Sequence, residues 1–273
     1  MGVLAVRLLR SAACAMSLLG AGFAAGEGAP ALSIESRDGP EGIAGEIHAA
    51  VGHPFASTAA ALKDPQHWCE ILMLHLDTKE CRLLVDGAGV SLAVGVVSKY
   101  DQPASAAYRA SFIYSLVEDT PEALRVRLDA EKGPVGTSNY RILLEAAPMD
   151  EAHTSIHMSY SYSYGVIARV AMQAYLVTFG RSKVGFTVIG NEPDGTPRYM
   201  GGMRGVVERN TMRYYLAVEA YLDAQSAPQE ARLETSLGNW YSAIERYPRQ
   251  LHEMERGDYL AMKRAELKGT FAR

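Results

Sequence analysis

The chain has 273 residues, 48% of them apolar, and a formal charge of −4. That apolar content supports one large core and excludes a disordered chain, and the mild acidity excludes the basic footprint of a nucleic-acid binder.

Arg7 and Arg10 precede an uncharged stretch from Ser11 to Ala25 with small residues ahead of Gly26. This is the pattern of a cleavable secretory signal over residues 1–24, and the stretch is short for a membrane span. Cleavage is expected after Ala24 or Gly26. Cys14 follows Ser11-Ala12-Ala13 and lacks the large aliphatic residue of a lipoprotein box. Loss of Arg7 and Arg10 takes the charge from −4 to about −6 and leaves only Cys69 and Cys81. A periplasmic or secreted location is oxidising, so these two cysteines are expected to form a disulfide; two free thiols are the alternative.

Beyond the signal, Ala31–Ser36 and Gly42–Val51 read as strands around Arg37-Asp38-Gly39-Pro40. A helix opens near Pro54 and runs to Asp64-Pro65, and a second, Gln66–Met73, carries Trp68 and Cys69. From Asp77 to Ser163 the chain reads as an antiparallel meander. Its runs are 81–86, 91–98, 108–117, 123–131, 138–146 and 155–163, with period-two alternation such as Leu124, Val126 and Leu128 against Arg125, Arg127 and Asp129. Helical spacing returns over Val166–Phe179, and Val184–Ile189 reads as a strand before a Gly/Pro/Asp-rich loop, Gly190–Gly202. A long helix follows over Met203–Leu222. Its predicted apolar face is Met203, Val206, Val207, Tyr214, Ala217, Val218 and Tyr221, and Arg204, Glu208, Arg209 and Arg213 are expected on the solvated side. Two more helices are expected over Gln229–Arg246 and Leu251–Leu267.

The segment Ile43–Trp68 (IAGEIHAAVGHPFASTAAALKDPQHW) combines an outgoing strand, a small-Pro-Phe helix start, an Ala/Leu-rich helix, then Asp and Trp. It resembles the entry to START-like domains of the SRPBCC superfamily. The resemblance covers roughly residues 31–224, with 166–202 as an insertion and 225–273 as a C-terminal helical extension outside the pattern. It implies an α+β helix-grip fold: a curved antiparallel sheet wrapped around a long C-terminal helix, enclosing an apolar cavity. The superfamily has no universal catalytic motif, so no catalytic residue carries over.

Candidate wall residues are Phe112, Tyr114, Tyr140, Tyr160 and Tyr162, because tyrosine couples an apolar ring to a hydroxyl that can bond a ligand. Alternation defines two faces without naming the inner one. Asn210 sits in the apolar stripe of the long helix, one turn from Val206 and Tyr214, and a buried amide there needs a partner. That partner is a ligand head group, a water, a sheet carbonyl or the 190–202 loop. His67, Cys69, His75 and Cys81 match no common zinc spacing, and His153 and His157 stand about 13 Å apart along one strand, too far for one ion. No metal or cofactor is expected, and no nucleophile motif appears. Residues 246–273 carry seven Lys/Arg against four Asp/Glu and are a candidate contact for a membrane surface or envelope protein. The expected function is binding or transport of an apolar or amphipathic, lipid-like molecule. The alternatives are a cyclase- or hydrolase-like enzyme in the same pocket, or a protein-interaction module using the C-terminal helices.

Overall fold

Alternation of buried and wet side chains, clearest over Leu124–Lys132 and Thr154–Tyr164, builds one eight-stranded antiparallel sheet. The structure, a computed structural model, describes residues 32–271 apart from 41, 88, 167–168, 171, 173–175 and 177–182. The expected signal and most of the helix expected over Val166–Phe179 lie outside the described residues. The strands are β1 (Ser33–Gly39), β2 (Gly42–Val51), β3 (Thr78–Asp86), β4 (Gly89–Val96), β5 (Tyr108–Asp119), β6 (Leu124–Lys132), β7 (Thr137–Pro148) and β8 (Thr154–Tyr164). Their spatial order is β1-β2-β8-β7-β6-β5-β4-β3, so the meander from β3 to β8 closes against β2. Inward residues Leu124, Val126, Leu128, Ile142, Leu144, Ile156 and Met158 are each at most 1% exposed. Outward residues form charge ladders such as Arg125–Glu145 and Arg141–Asp129.

Between β2 and β3 lie α1 (Phe55–Leu62) and α2 (Pro65–Met73). Asp64 caps α2 by accepting the Gln66 amide at 2.8 Å, with Pro65 in the first turn, where its missing N–H leaves nothing unpaired. Trp68 is buried and donates its indole N–H to the Leu62 carbonyl at 2.7 Å, tying α2 back to α1. The Cys69–Cys81 disulfide joins α2 to β3, which removes the free-thiol and zinc alternatives for those cysteines.

The long helix α3 (Gly202–Ala224) packs on β1, β2 and β8. This is the α+β helix-grip arrangement. Close approach requires Gly45 on β2, since a Cβ there would lie 2.3 Å from Thr211 Oγ1. The predicted solvated side of α3 is not solvated: Glu208, Arg209 and Arg213 are buried. Residues 185–187 and Ser36 of β1 close over Glu208, and a second layer of helices closes over Arg213. Helices α4 (Arg232–Ile244), α5 (Pro248–Leu251) and α6 (Arg256–Phe271) follow, and α4 covers the face of α3 opposite the sheet. Trp240 donates to the Arg213 carbonyl at 3.3 Å and stacks on Tyr259, whose hydroxyl bonds the Leu74 carbonyl at 2.9 Å. Lys263, also buried, donates to the Thr78 carbonyl and to Glu266. The aromatic residues of the C-terminal helices therefore serve the core instead of forming an apolar docking face.

Residues 184–189 also differ from expectation. The amides of Phe186 and Thr187 go to the buried Glu208 carboxylate at 2.6 and 2.9 Å, and the Gly185 amide goes to the Met200 carbonyl. These bonds replace strand pairing. The strand proper is β9 (Val188–Asn191), paired with β10 (Pro197–Tyr199) inside what reads in sequence as an open loop.

Candidate functional site

The inner faces of β5, β7 and β8 opposite α3 carry an aromatic cluster. Phe112, Tyr160 and Tyr162 are buried, while Tyr140 and Tyr214 are half-buried and packed against the core. Tyr140 stacks on Tyr162 with centroids 5.2 Å apart and meets Tyr160 at 6.1 Å and Phe112 edge-on at 6.4 Å. Tyr160 reaches across to Tyr214 of α3 at 5.2 Å. Two local devices set this up. A register shift between Ser138 and Arg141, with Asn139 at φ 52°, bends β7 beside Tyr140. Gly133 leaves room for the Tyr140 ring, which a Cβ would approach to 2.1 Å.

The cluster carries hydrogen-bonding groups beside its rings. The Tyr140 hydroxyl bonds Thr137 Oγ1 at 2.7 Å. Burial raises the Tyr160 hydroxyl pKa well above the ordinary tyrosine value, against a hydrogen bond from Asn210. Asn210 is half-buried, and that bond reaches a sheet side chain, not a sheet carbonyl. Burial likewise pushes Tyr162, Tyr214 and Tyr140 upward, so all four hydroxyls are neutral near pH 7. Tyr114 is held differently. Its hydroxyl donates to the Lys63 carbonyl at the end of α1 at 2.6 Å, and burial raises its pKa to about 12.

Beyond Tyr214 the cluster continues into ionisable groups that sequence reasoning left out of the site. The His75 ring lies 5.1 Å from that of Tyr214 and is buried. Its Nδ1 accepts the Asp77 amide at 3.2 Å, which assigns the proton to Nε2, and Nε2 has no hydrogen-bond partner among the described residues. Burial, then the Arg213 charge, lowers the His75 pKa well below the usual imidazole value. Burial raises that of Asp77 against the pull of Arg213. Arg213 is anchored by Glu253 at 2.7 Å, and Lys183 pairs with the same carboxylate. Burial alone would raise the Glu253 pKa, but these two cations hold it below the ordinary carboxylate value. The sequence signal for this corner is faint: a His and an Asp lie in the α2–β3 connection, and an Arg lies beside Tyr214.

Of the candidate wall residues, Phe112, Tyr140, Tyr160 and Tyr162 therefore converge and Tyr214 and Asn210 of α3 join them, while Tyr114 is fixed to α1. Buried hydroxyls, a neutral imidazole with a spare donor and an anchored guanidinium suit recognition of a molecule with an apolar body and a polar end.

No protein-family model and no curated protein matches the chain. Among solved structures it is similar to human StAR-related lipid transfer protein 5, at 10% identity over 55% of this chain and 75% of that one, with a TM-score of 0.37. It is also similar to a norcoclaurine synthase point mutant from Thalictrum flavum bound to a transition-state analogue, at 14% identity over 55% and 88%, TM-score 0.35. A third similar structure is a conserved protein from Geobacillus kaustophilus, at 14% identity over 50% and 85%, TM-score 0.34. Likeness of this size assigns neither a ligand nor a reaction to the chain.

Proposed function

We propose that this protein binds an amphipathic, lipid-like small molecule between the sheet and α3, its apolar part against the tyrosine rings and its polar end toward Asn210 and His75. The observation that carries the reading is the buried His75 Nε2–H beside Tyr214, which has no partner among the described residues, because an orphaned buried donor costs about 1–3 kcal/mol unless something accepts from it. Contact with the rings supplies affinity: burying about 300 Å² of apolar ligand surface contributes about 7 kcal/mol before ordering costs. Reversible displacement of α3 and the 190–202 segment from the sheet would admit the ligand. We place this activity outside the cytoplasm, as an exported, periplasmic carrier; the Cys69–Cys81 bridge supports an oxidising compartment.

Protein purified gently from its own cell envelope is extracted with organic solvent and the extract read by mass spectrometry. An apolar or amphipathic species in a fixed ratio to protein is expected. Extracts without such a species, together with no saturable binding of a fatty-acid probe by the stripped protein, would refute the proposal. A second reading, acid–base catalysis in the same interior, draws on two ionisable groups buried near each other, the neutral His75 imidazole and the Asp77 carboxyl that burial pushes up, joined in the structure only through the Asp77 backbone amide. It predicts extraction of a chemically altered product from the native protein but not from His75→Gln.

A further inference from the structure

The outer face of the sheet carries a cluster of two histidines and two carboxylates, separate from the interior. His48 of β2 stands directly opposite His157 of β8, and both point outward, since their neighbours Ile47 and Met158 face the core. The two imidazoles stack with centroids 4.2 Å apart and planes 1° from parallel. Glu46 lies two residues along β2 on the same face, its Oε2 3.8 Å from His157 Nε2. One donor atom from each of the three residues lies within 4.8 Å of the others.

The surroundings prepare His157 as a ligand. Its Nδ1 is 2.8 Å from Glu145 Oε2, and Arg125 holds the other oxygen of that carboxylate at 2.6 Å. A carboxylate that accepts from Nδ1 leaves the Nε2 lone pair free. That Nε2 is buried and has no hydrogen-bond partner among the described residues, because 3.8 Å to Glu46 is too long for one.

We propose that Glu46, His48 and His157 bind a first-row divalent cation of the zinc class, with Glu145 as a positioning residue that orients His157. Two imidazole nitrogens and one carboxylate oxygen select such an ion over magnesium or calcium, which prefer all-oxygen shells. Zinc bonds of about 2.0–2.1 Å require donors about 3.3 Å apart, so the ligands must draw together. His48 is exposed and free to turn out of the stack, which also lets the ion lie in the plane of each ring.

The test is calorimetric titration of zinc chloride into untagged protein freed of metal with a chelator, repeated with cobalt(II) read by its visible absorption. One ion per chain is expected, with a four-coordinate cobalt spectrum. His48→Ala and Glu46→Gln should each weaken zinc binding at least tenfold. Glu145→Gln, which leaves all three ligands in place, should weaken it about tenfold. Thermal melts of the metal-free variants should match the parent, because these side chains lie on the outer sheet surface. Absence of saturable zinc binding would overturn the proposal, and so would an unchanged affinity in His48→Ala, which would assign the ion to another histidine.

Discussion

The grip of sheet on helix can be tested at one contact. A methyl group at Gly45 would meet Thr211 Oγ1 at 2.3 Å, and Thr211 Cβ and the Val207 carbonyl at 3.3 Å. Thr211 is buried, and its hydroxyl is committed to the Val207 carbonyl at 2.8 Å, so it cannot swing away freely. Overpacking of this kind costs about 1–3 kcal/mol. The backbone at Gly45 needs no positive φ, so Ala also gains about 0.4–1 kcal/mol from a less flexible unfolded chain. Gly45→Ala should therefore destabilise by about 1–2 kcal/mol. With a urea m-value of about 3 kcal/mol/M, the unfolding midpoint falls by about 0.3–0.7 M at unchanged m. Thr211→Ala removes the clashing oxygen, and the double variant should return close to the parent. A coupling of about 1 kcal/mol or more between the two sites is the expected signature. A Gly45→Ala protein as stable as the parent, or two strictly additive effects, would refute the packing argument.

Replacing Cys69 and Cys81 together by Ser should lower stability by about 3 kcal/mol, the loop-closure estimate for a separation of 12 residues; thermal melts against the oxidised parent measure this. Glu208→Ala leaves two backbone amides and the Thr187 and Ser36 hydroxyls without their acceptor, so a loss of about 3 kcal/mol or more is expected. Amide exchange should accelerate first at Phe186 and Thr187. His75 gives a pH signature. Its folded pKa lies well below 6.5, so as pH falls through 6.5 the unfolded chain takes up a proton that the folded one refuses. Stability from this residue is intact above that pH and falls below it, by about 1 kcal/mol between pH 6.5 and 5.5. Denaturation across that range should show a shallower slope in His75→Gln, and an identical slope would contradict the buried neutral imidazole.

How far the chain explains itself depends on whether a feature is local. Alternation in stretches such as Leu124–Leu128 and Met158–Tyr162, the Asp64-Pro65 helix start and the turn-rich breaks were enough to place all eight strands of the sheet and helices α1, α2 and α3, because period, caps and turns act over a few neighbouring residues. The tyrosines were legible as residue types, but the inward face was not, and neither was the separation of Tyr114 from the others. A helical wheel puts Arg213 and Glu208 on a solvated side, whereas α3 is covered there too, by α4 over Arg213 and by Ser36 and residues 186–187 over Glu208. Local order places His157 beside His153 on one strand, yet its structural counterpart is His48, more than a hundred residues away across the β2–β8 pairing. The amino-acid order alone determined the helix-grip elements and the two cysteines available for a bridge. Only tertiary pairing decided which polar groups are buried together and which outer-face imidazoles meet, since such contacts depend on strand order and register, which no local pattern encodes.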